Sequence, residues 1–518
     1  MSLRQDCFLG IDIGTSSTKV LAVTLDGSVL AAGSAAHLLH SPAPGRFEQE
    51  PADWWKSLCQ AVATALAALP GGAAAVAGIG LSGQMSSLVV LGPDNLPLLP
   101  ASTVTDTRAA DEAALLAARF GPRFERLAGG RPVASDVASK LLWLKSHEPE
   151  VYARMSTFVF AKDYIRFLLT GELATEPTDA GNTYFLDLTT RAWDARLFED
   201  MGHNTGILPA LVGTTQLVGS VTDEAADATG LLAGTPIVAG AADMAASVVG
   251  AAVIDPGVVA VTIGTSAQVT APVTTLLPAA DGRVDFHPHA CEGLLYLLGS
   301  IFSGGLTMQW LAKAFGEEAD LERGGAGYFD GLSQQAALSR TGAEGVLFLP
   351  FLVGSGSPEF DPSARAAFIG LSLAAGRPQL VRAAMEGVAH DVRQSLDIMV
   401  ELGVPVERVH LAGGGAASEV WQEIIAGVLG RPVFPTRVRD ASALGAAALA
   451  AVGMKALPAV REASRAMVHF RAAVVPEQSA ADRYAGDHEV FLRARTLVGQ
   501  IDRMRAGSSA PDPQSSGR

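Results

Sequence analysis

The chain carries one nine-residue pattern twice, and that repeat limits its fold more than any other feature. Phe8-Leu9-Gly10-Ile11-Asp12-Ile13-Gly14-Thr15-Ser16 leads into Ser17–Val23. Val258-Val259-Ala260-Val261-Thr262-Ile263-Gly264-Thr265-Ser266 leads into Ala267–Thr270. Both read as a strand, a tight Gly-Thr-Ser turn and a second strand. The run Ile-Gly-Thr-Ser recurs at an offset of 250 residues, from 13–16 to 263–266, each copy near the start of its half. Such a turn directs backbone N–H groups and two hydroxyls outward, and glycine allows the close backbone approach that a phosphate needs. A single hairpin of this kind reads as an ordinary β-turn. Two copies half a chain apart read as two related domains that clamp a polyphosphate between them.

With 518 residues the chain is long enough for two or three cores. Hydrophobic residues at 49% against 18% charged supply the apolar material for them and argue against disorder. The net charge of −15, with no Lys/Arg-rich block, argues against nucleic acid or an anionic membrane as a partner. Cys7, Cys59 and Cys291 are far apart and odd in number, which fits three buried thiols in the reduced cytoplasm. The apolar run Cys7–Ile11 is too short for a signal peptide, and the most apolar stretch, 234–269, is interrupted by Asp243, Asp255 and Pro256. Met1–Leu3 reads as an expression remnant and 507–518, rich in Ser, Pro and Gly, as a disordered tail.

Elsewhere strands and helices alternate, which makes the class α/β. Ala75–Leu81 reads as a strand ending in a turn at Ser82-Gly83-Gln84. Ala138–Lys145, Lys162–Thr170, Gln379–Met399 and Ser418–Leu429 carry helical spacing, and Ala441–Val452 is an alanine-rich helix suited to close packing. Arg408–Leu411 is a strand that runs into Gly413-Gly414-Gly415, a position between strand and helix where a nucleotide can approach bare backbone. Asp243 stands alone in the apolar stretch Gly240–Ala246 and is either a helix N-cap or a functional acid, since a carboxylate is costly to bury unused. Asp12 ends an apolar strand at the first turn, where the second copy has Thr262. Lys19 reads as a solvated strand end. No Gly-x-x-x-x-Gly-Lys-Ser/Thr loop is present, which excludes a P-loop kinase.

These ordered motifs resemble the FGGY family of carbohydrate kinases, and within it the xylulokinases. The resemblance runs from about Phe8 to about Val452 and rests on several segments. Gly10–Ser16 is similar to the family's first phosphate loop and Gly80-Leu81-Ser82-Gly83-Gln84-Met85 to its sugar loop. Lys140-Leu141-Leu142-Trp143-Leu144 with His147-Glu148-Pro149 resembles the first family signature. Ala366-Ala367-Phe368-Ile369-Gly370-Leu371 with Gln379-Leu380 and Ala383-Ala384-Met385-Glu386 resembles the second. The resemblance implies two actin-like (ribonuclease H-like) ATPase domains, 1–250 and 251–500, with ATP in the cleft between them. It implies phosphorylation of a small ketose, D-xylulose to D-xylulose 5-phosphate, with Asp243 as general base and Asp12 on Mg²⁺. Gly14, Thr15, Ser16, Gly264, Thr265 and Ser266 would hold the phosphates, and Gly413, Gly414, Gly415 and Ala416 the adenosine. Gln84, Met85, Ser86, Asp106 and Arg108 would line the sugar site with Asp243.

Several neighbours depart from the xylulokinase pattern. Ser86 stands where histidine is usual, Val104-Thr105 replaces Trp-Asn, Met244 replaces Asn, and Gly354-Ser355-Gly356-Ser357-Pro358 replaces Gly-Glu-Arg-x-Pro. In the first signature Val137 takes a place usually held by Pro, Ser or Thr. The first four changes fall where the resemblance puts the sugar or the cleft, so ribulose, erythrulose and glycerol stand as alternative substrates. A non-catalytic sugar sensor would have no need to keep Asp12 and Asp243. A chaperone ATPase or filament protein would need a peptide-binding domain or a polymerising surface. A homodimer is left open.

Overall fold

The computed structural model describes residues 7–277, 280–315 and 326–508. Cys7–Ile13 is buried along its whole length, as an inner strand covered on both faces must be, and Asp12 is its one charged residue. In the first large sheet the spatial order is Leu217–Ser220, Pro236–Val238, Val76–Gly83, Cys7–Ile13, Ser17–Val23, Val29–Ala36. In the second it is Asp285–Pro288, Leu295–Ile301, Ala267–Val273, Gly257–Ile263, Val406–Ala412, Val433–Pro435. Each sheet has the same nucleus. Three antiparallel strands start with the hairpin, and two further strands pair parallel on the hairpin's other side.

The duplication reaches the irregularities. The parallel pairing of the first strand slips between Cys7 and Phe8, and that of its counterpart slips between Gly257 and Val258, the equivalent position. The architecture is therefore two α/β units of the actin-like kind, as expected. Strand Val76–Gly83 is longer than expected. It takes in Ser82 and Gly83 because both continue the parallel ladder with Asp12 and Ile13.

Two helices cross between the halves. Ala441–Gly453 follows the last strand of the second sheet but lies on the first sheet, where a Cβ on Gly10 would stand 1.7 Å from the Ala443 carbonyl oxygen. Helix Asp243–Gly250 packs against it equally closely, for a Cβ on Gly445 would stand 1.9 Å from the Ala246 oxygen. Val248 and Val249 of that helix share one hydrophobic cluster with Ala260, Tyr296 and Ala412 of the second sheet. His410 Nδ1 in the second sheet donates to the Ala251 carbonyl at 2.7 Å. In each approach a glycine, without a Cβ, faces the carbonyl of an alanine, whose small side chain lets the helices come close, which is the reason for the run of Ala and Gly.

A smaller five-stranded sheet joins His40–Ala43, Arg46–Gln49, Ala101–Ser102, Leu88–Leu91 and Thr157–Phe160. It carries the two loops expected at the sugar. No disulfide joins the three cysteines; Cys7 and Cys291 are buried, but Cys59 is half-buried rather than buried as expected. Among the described residues no helix is long and apolar enough to cross a membrane. Residues 507 and 508 end the last helix, Gln478–Ser508. The rest of the expected tail and Met1–Leu3 lie outside the described residues.

Candidate active site

The first turn ends strand Cys7–Ile13. Gly14 N donates to the Ser17 carbonyl at 3.1 Å, His37 Nε2 donates to the Gly14 carbonyl at 2.9 Å, and Gln49 Nε2 donates to the Thr15 carbonyl at 2.7 Å. With the carbonyls tied back, Gly14 and Thr15 remain half-exposed and Ser16 exposed. Asp12 sits beneath the turn and accepts from Ser82 Oγ at 2.7 Å. Burial pushes its carboxyl up, against the pull of the Ser82 hydroxyl and the Lys19 ammonium. Lys19 keeps a side chain 42% exposed, as a solvated strand residue would, but it is paired. Its Nζ lies 2.6 Å from Asp440 Oδ1, at the start of helix Ala441–Gly453 in the other half.

Asp243 is the first residue of its helix, and Ala242 occupies the N-cap position. Its Oδ1 accepts from Met244 N at 2.8 Å and from Met85 N at 3.3 Å, which ties the acid to the expected sugar loop. Burial first, and the Asp12 charge second, raise its pKa to about 7. A carboxylate with that pKa can accept a proton from an alcohol at neutral pH and still hold it. Asp12, buried, and Asp243, half-buried, are thus neighbouring acids, and the charge of the first helps to raise the second.

The second turn is braced from another direction. Gly305 N and Leu306 N, opening helix Gly305–Phe315, donate to the Gly264 and Thr265 carbonyls, each at 2.8 Å. Gly264 and Thr265 are exposed and Ser266 half-exposed. Gly413 lies directly behind this turn with φ +82, and a Cβ there would be 2.5 Å from the Ile263 carbonyl. Gly414 is exposed, Gly415 half-exposed and Ala416 buried, so the glycine loop and the second turn form one continuous surface.

The expected sugar residues divide in two. Met85 is half-buried and close to Asp243, whereas Ser86 is 2% exposed with φ +57. Gln84 is buried and donates through Nε2 to Gln49 Oε1 at 2.6 Å, and its own Oε1 lacks a hydrogen-bond partner. Asp106 is fully buried and accepts from Phe47 N at 2.8 Å and from Arg108 Nη2 at 2.7 Å. Burial works to raise its carboxyl, but Arg108 and the backbone N–H groups outweigh it and hold it low. Arg108 also reaches Glu48 at 2.5 Å and lies 5.1 Å from the Trp143 ring centre. Asp106 therefore holds Arg108, and Arg108, at 11% side-chain exposure, is the member of the pair nearer to solvent.

Comparison with known proteins fits this arrangement. Residues 7–250 match the N-terminal domain of the FGGY family of carbohydrate kinases, and residues 259–454 match its C-terminal domain. The chain belongs to the FGGY family of carbohydrate kinases. This kinase is 31% identical over 476 residues to the xylulose kinase of Bacillus subtilis, covering 92% of this chain and 94% of that one. It is 34% identical over 483 residues to the autoinducer-2 kinase of Yersinia enterocolitica, covering 90% and 89%. The crystal structure of xylulose kinase from Rhodospirillum rubrum superposes with a TM-score of 0.83 at 31% identity, covering 96% of this chain and all of that one. FGGY kinases use ATP as the phosphoryl donor.

Sequence reasoning about this kinase missed the groups that hold the site in place. Lys162, Asp163, Arg166, Glu176 and Asp179 form a fully buried ion network, with Lys162 Nζ 2.7 Å from Asp163, 2.8 Å from Asp179 and 3.1 Å from Glu176. Thr178 Oγ1 donates to Glu176 Oε1 and accepts from Ala242 N, both at 2.7 Å, so the network fixes the peptide just before Asp243. The available signal was Asp163 and Arg166, three residues apart on the helix Ala161–Thr170, where they face inward with its apolar residues.

Proposed function

We propose that this kinase transfers the γ-phosphoryl of ATP to a small ketose, D-xylulose first among them, giving D-xylulose 5-phosphate. One observation carries the reading. The acid with a pKa of about 7, Asp243, is hydrogen-bonded to the Met85 N–H of the sugar loop and stands beside the buried Asp12. A sugar hydroxyl resting on Met85 and Ser86 would meet Asp243, which takes its proton as the oxygen attacks phosphorus. Arg108, held by Asp106 and Glu48, supplies a donor to the sugar, and Gln84 through Gln49 supports the first turn. Gly14–Ser16 and Gly264–Ser266 offer N–H groups and hydroxyls to the phosphates, and Gly413–Ala416 the surface for adenosine. This reading divides the chain at residue 250 and places the reaction in the cytoplasm.

Mg²⁺ fits the same residues. Two carboxylates whose pKa values are both raised, Asp243 in part by the charge of Asp12, make a site short of positive charge, and Asp12 Oδ2 lies toward the Gly14 turn. Asp12, with water and phosphate oxygens, would be the donor set, as suits an ion that keeps much of its hydration shell. Bound there it would neutralise charge on the transferring phosphoryl group.

The test is an ADP-release assay over D-xylulose, ribulose, erythrulose, glycerol and autoinducer-2, the last because the Yersinia relative is named for it. We expect the highest kcat/KM with D-xylulose. ADP release that no member of the panel stimulates would overturn the reading.

A further inference from the structure

Lys140 projects from the buried side of helix Val137–His147 and is 2% exposed. Its Nζ donates to the Ser86 carbonyl at 2.8 Å, to the Thr103 carbonyl at 2.7 Å and to the Ser102 carbonyl at 3.4 Å. An ammonium has three N–H donors, and all three are spent on carbonyls. Those carbonyls belong to two different loops. One holds Gln84, Met85 and Ser86, and the other leads through Thr105 to Asp106 and Arg108. No other side-chain group described in the structure bonds to both.

The contacts are costly ones. Burial brings the Lys140 pKa down to about 7, although Asp106 and Asp136 favour its charge; Arg108 opposes it. An apolar side chain would fill the same volume without that cost, but it would leave buried carbonyls unmatched. The Ser86 carbonyl needs the tie most. Ser86 is held at φ +57, a region a serine seldom occupies unless its surroundings impose it. The far side of the second loop is already fixed, because Thr103 N donates to the Phe47 carbonyl at 3.0 Å and Phe47 N donates to Asp106 at 2.8 Å. Lys140 is therefore the side chain that joins a braced loop to a strained one.

We propose that Lys140 is a positioning residue for the acceptor, its ammonium setting the separation of the two loops that hold the sugar. This rests on the sugar site described under the proposed function. It assigns Lys140 no contact with the sugar and no share in moving the proton.

Lys140→Met removes the donors at nearly constant volume. The KM for D-xylulose should rise by about 10- to 100-fold, since several buried acceptors lose their partner. The KM for ATP should stay within about twofold and kcat within about fivefold of wild type, because the phosphate turns are not tied to Lys140. Lys140→Gln keeps two N–H groups and should fall between; it replaces the methionine variant if that one does not fold. Hydrogen exchange on the unliganded protein gives a second readout that needs no substrate. Segments 84–88 and 101–108 should exchange faster in the variant, and 264–266 and 413–416 should not. Exchange unchanged in either sugar loop overturns the proposal, and so does a D-xylulose KM within twofold of wild type when both loops have loosened. If wild type phosphorylates nothing in the panel, the sugar reading fails separately, and the exchange data still decide whether Lys140 ties the loops.

Discussion

Replacing Asp243 by asparagine should make this kinase slower and, at alkaline pH, more stable. Asparagine keeps the acceptor oxygen that Met244 N and Met85 N use, so the local geometry survives while the charge goes. In the fold Asp243 titrates at about 7 against an ordinary value of 3.8. Between those values the folded chain keeps a proton there that the unfolded chain has lost. Stability therefore falls as pH rises through this window and levels off above it. At about 1.4 kcal/mol per pKa unit the full shift corresponds to about 4 kcal/mol. Asp243 is only partly buried by its surface, so water screens it and we take about 1–2 kcal/mol as the realised cost. For a unit of roughly 250 residues that is a rise in Tm of about 2–5 °C at pH 8, vanishing at about pH 4, where aspartate is protonated in the fold. Turnover should drop by about 10²- to 10⁴-fold, the usual loss with a general base. Scanning calorimetry at both pH values and a coupled ADP assay measure the two effects. A variant no more stable than wild type at pH 8, or one that turns over within a few-fold of it, would refute the assignment of a strained base.

Asp12→Asn should raise the Mg²⁺ concentration for half-maximal ATP turnover and lower the maximal rate; a titration with both unchanged counts against Asp12 as the metal residue. Gly445→Ala places a Cβ 1.9 Å from the Ala246 oxygen, so the two crossing helices must separate. We expect a loss of about 3 kcal/mol, seen as a lower urea midpoint, and an unchanged midpoint would show that the helices do not pack this tightly in solution. Ser86→His should shift kcat/KM several-fold toward D-xylulose over the best other substrate, about 1 kcal/mol for one good hydrogen bond. Histidine tolerates the left-handed backbone at this position better than most side chains. A histidine variant poorer with D-xylulose than wild type would mean that Ser86 belongs to a different pocket.

The two Gly-Thr-Ser hairpins were legible in the chain because strand, turn and strand are local. Near-continuous apolar runs and turn chemistry are written in adjacent residues, and a repeat at constant offset needs no knowledge of distant contacts. Asp12 and Asp243 stood out for a related reason, as single charges in apolar runs, where a charge is too costly to be idle. Their motifs also fixed the family, since several short segments kept their order along most of the chain.

What the chain could not disclose is which groups meet across long separations. The Lys19–Asp440 pair spans 421 residues, and nothing in either neighbourhood names the other. The crossing of Ala441–Gly453 onto the first sheet is equally hidden. A run of alanine and glycine signals close packing but not the partner, and here the partner is the backbone of Gly10 and Gly80 in the opposite half. The pKa of Asp243 depends on burial and on Asp12, both products of the assembled sheets. The family resemblance puts Asp106 at the sugar; which donors hold its carboxylate, Phe47 N and the Arg108 guanidinium, only the fold decided, because a buried charge takes the donors that its surroundings present. Residue type set the chemistry each position could perform, and tertiary packing decided which of those possibilities were left facing the cleft.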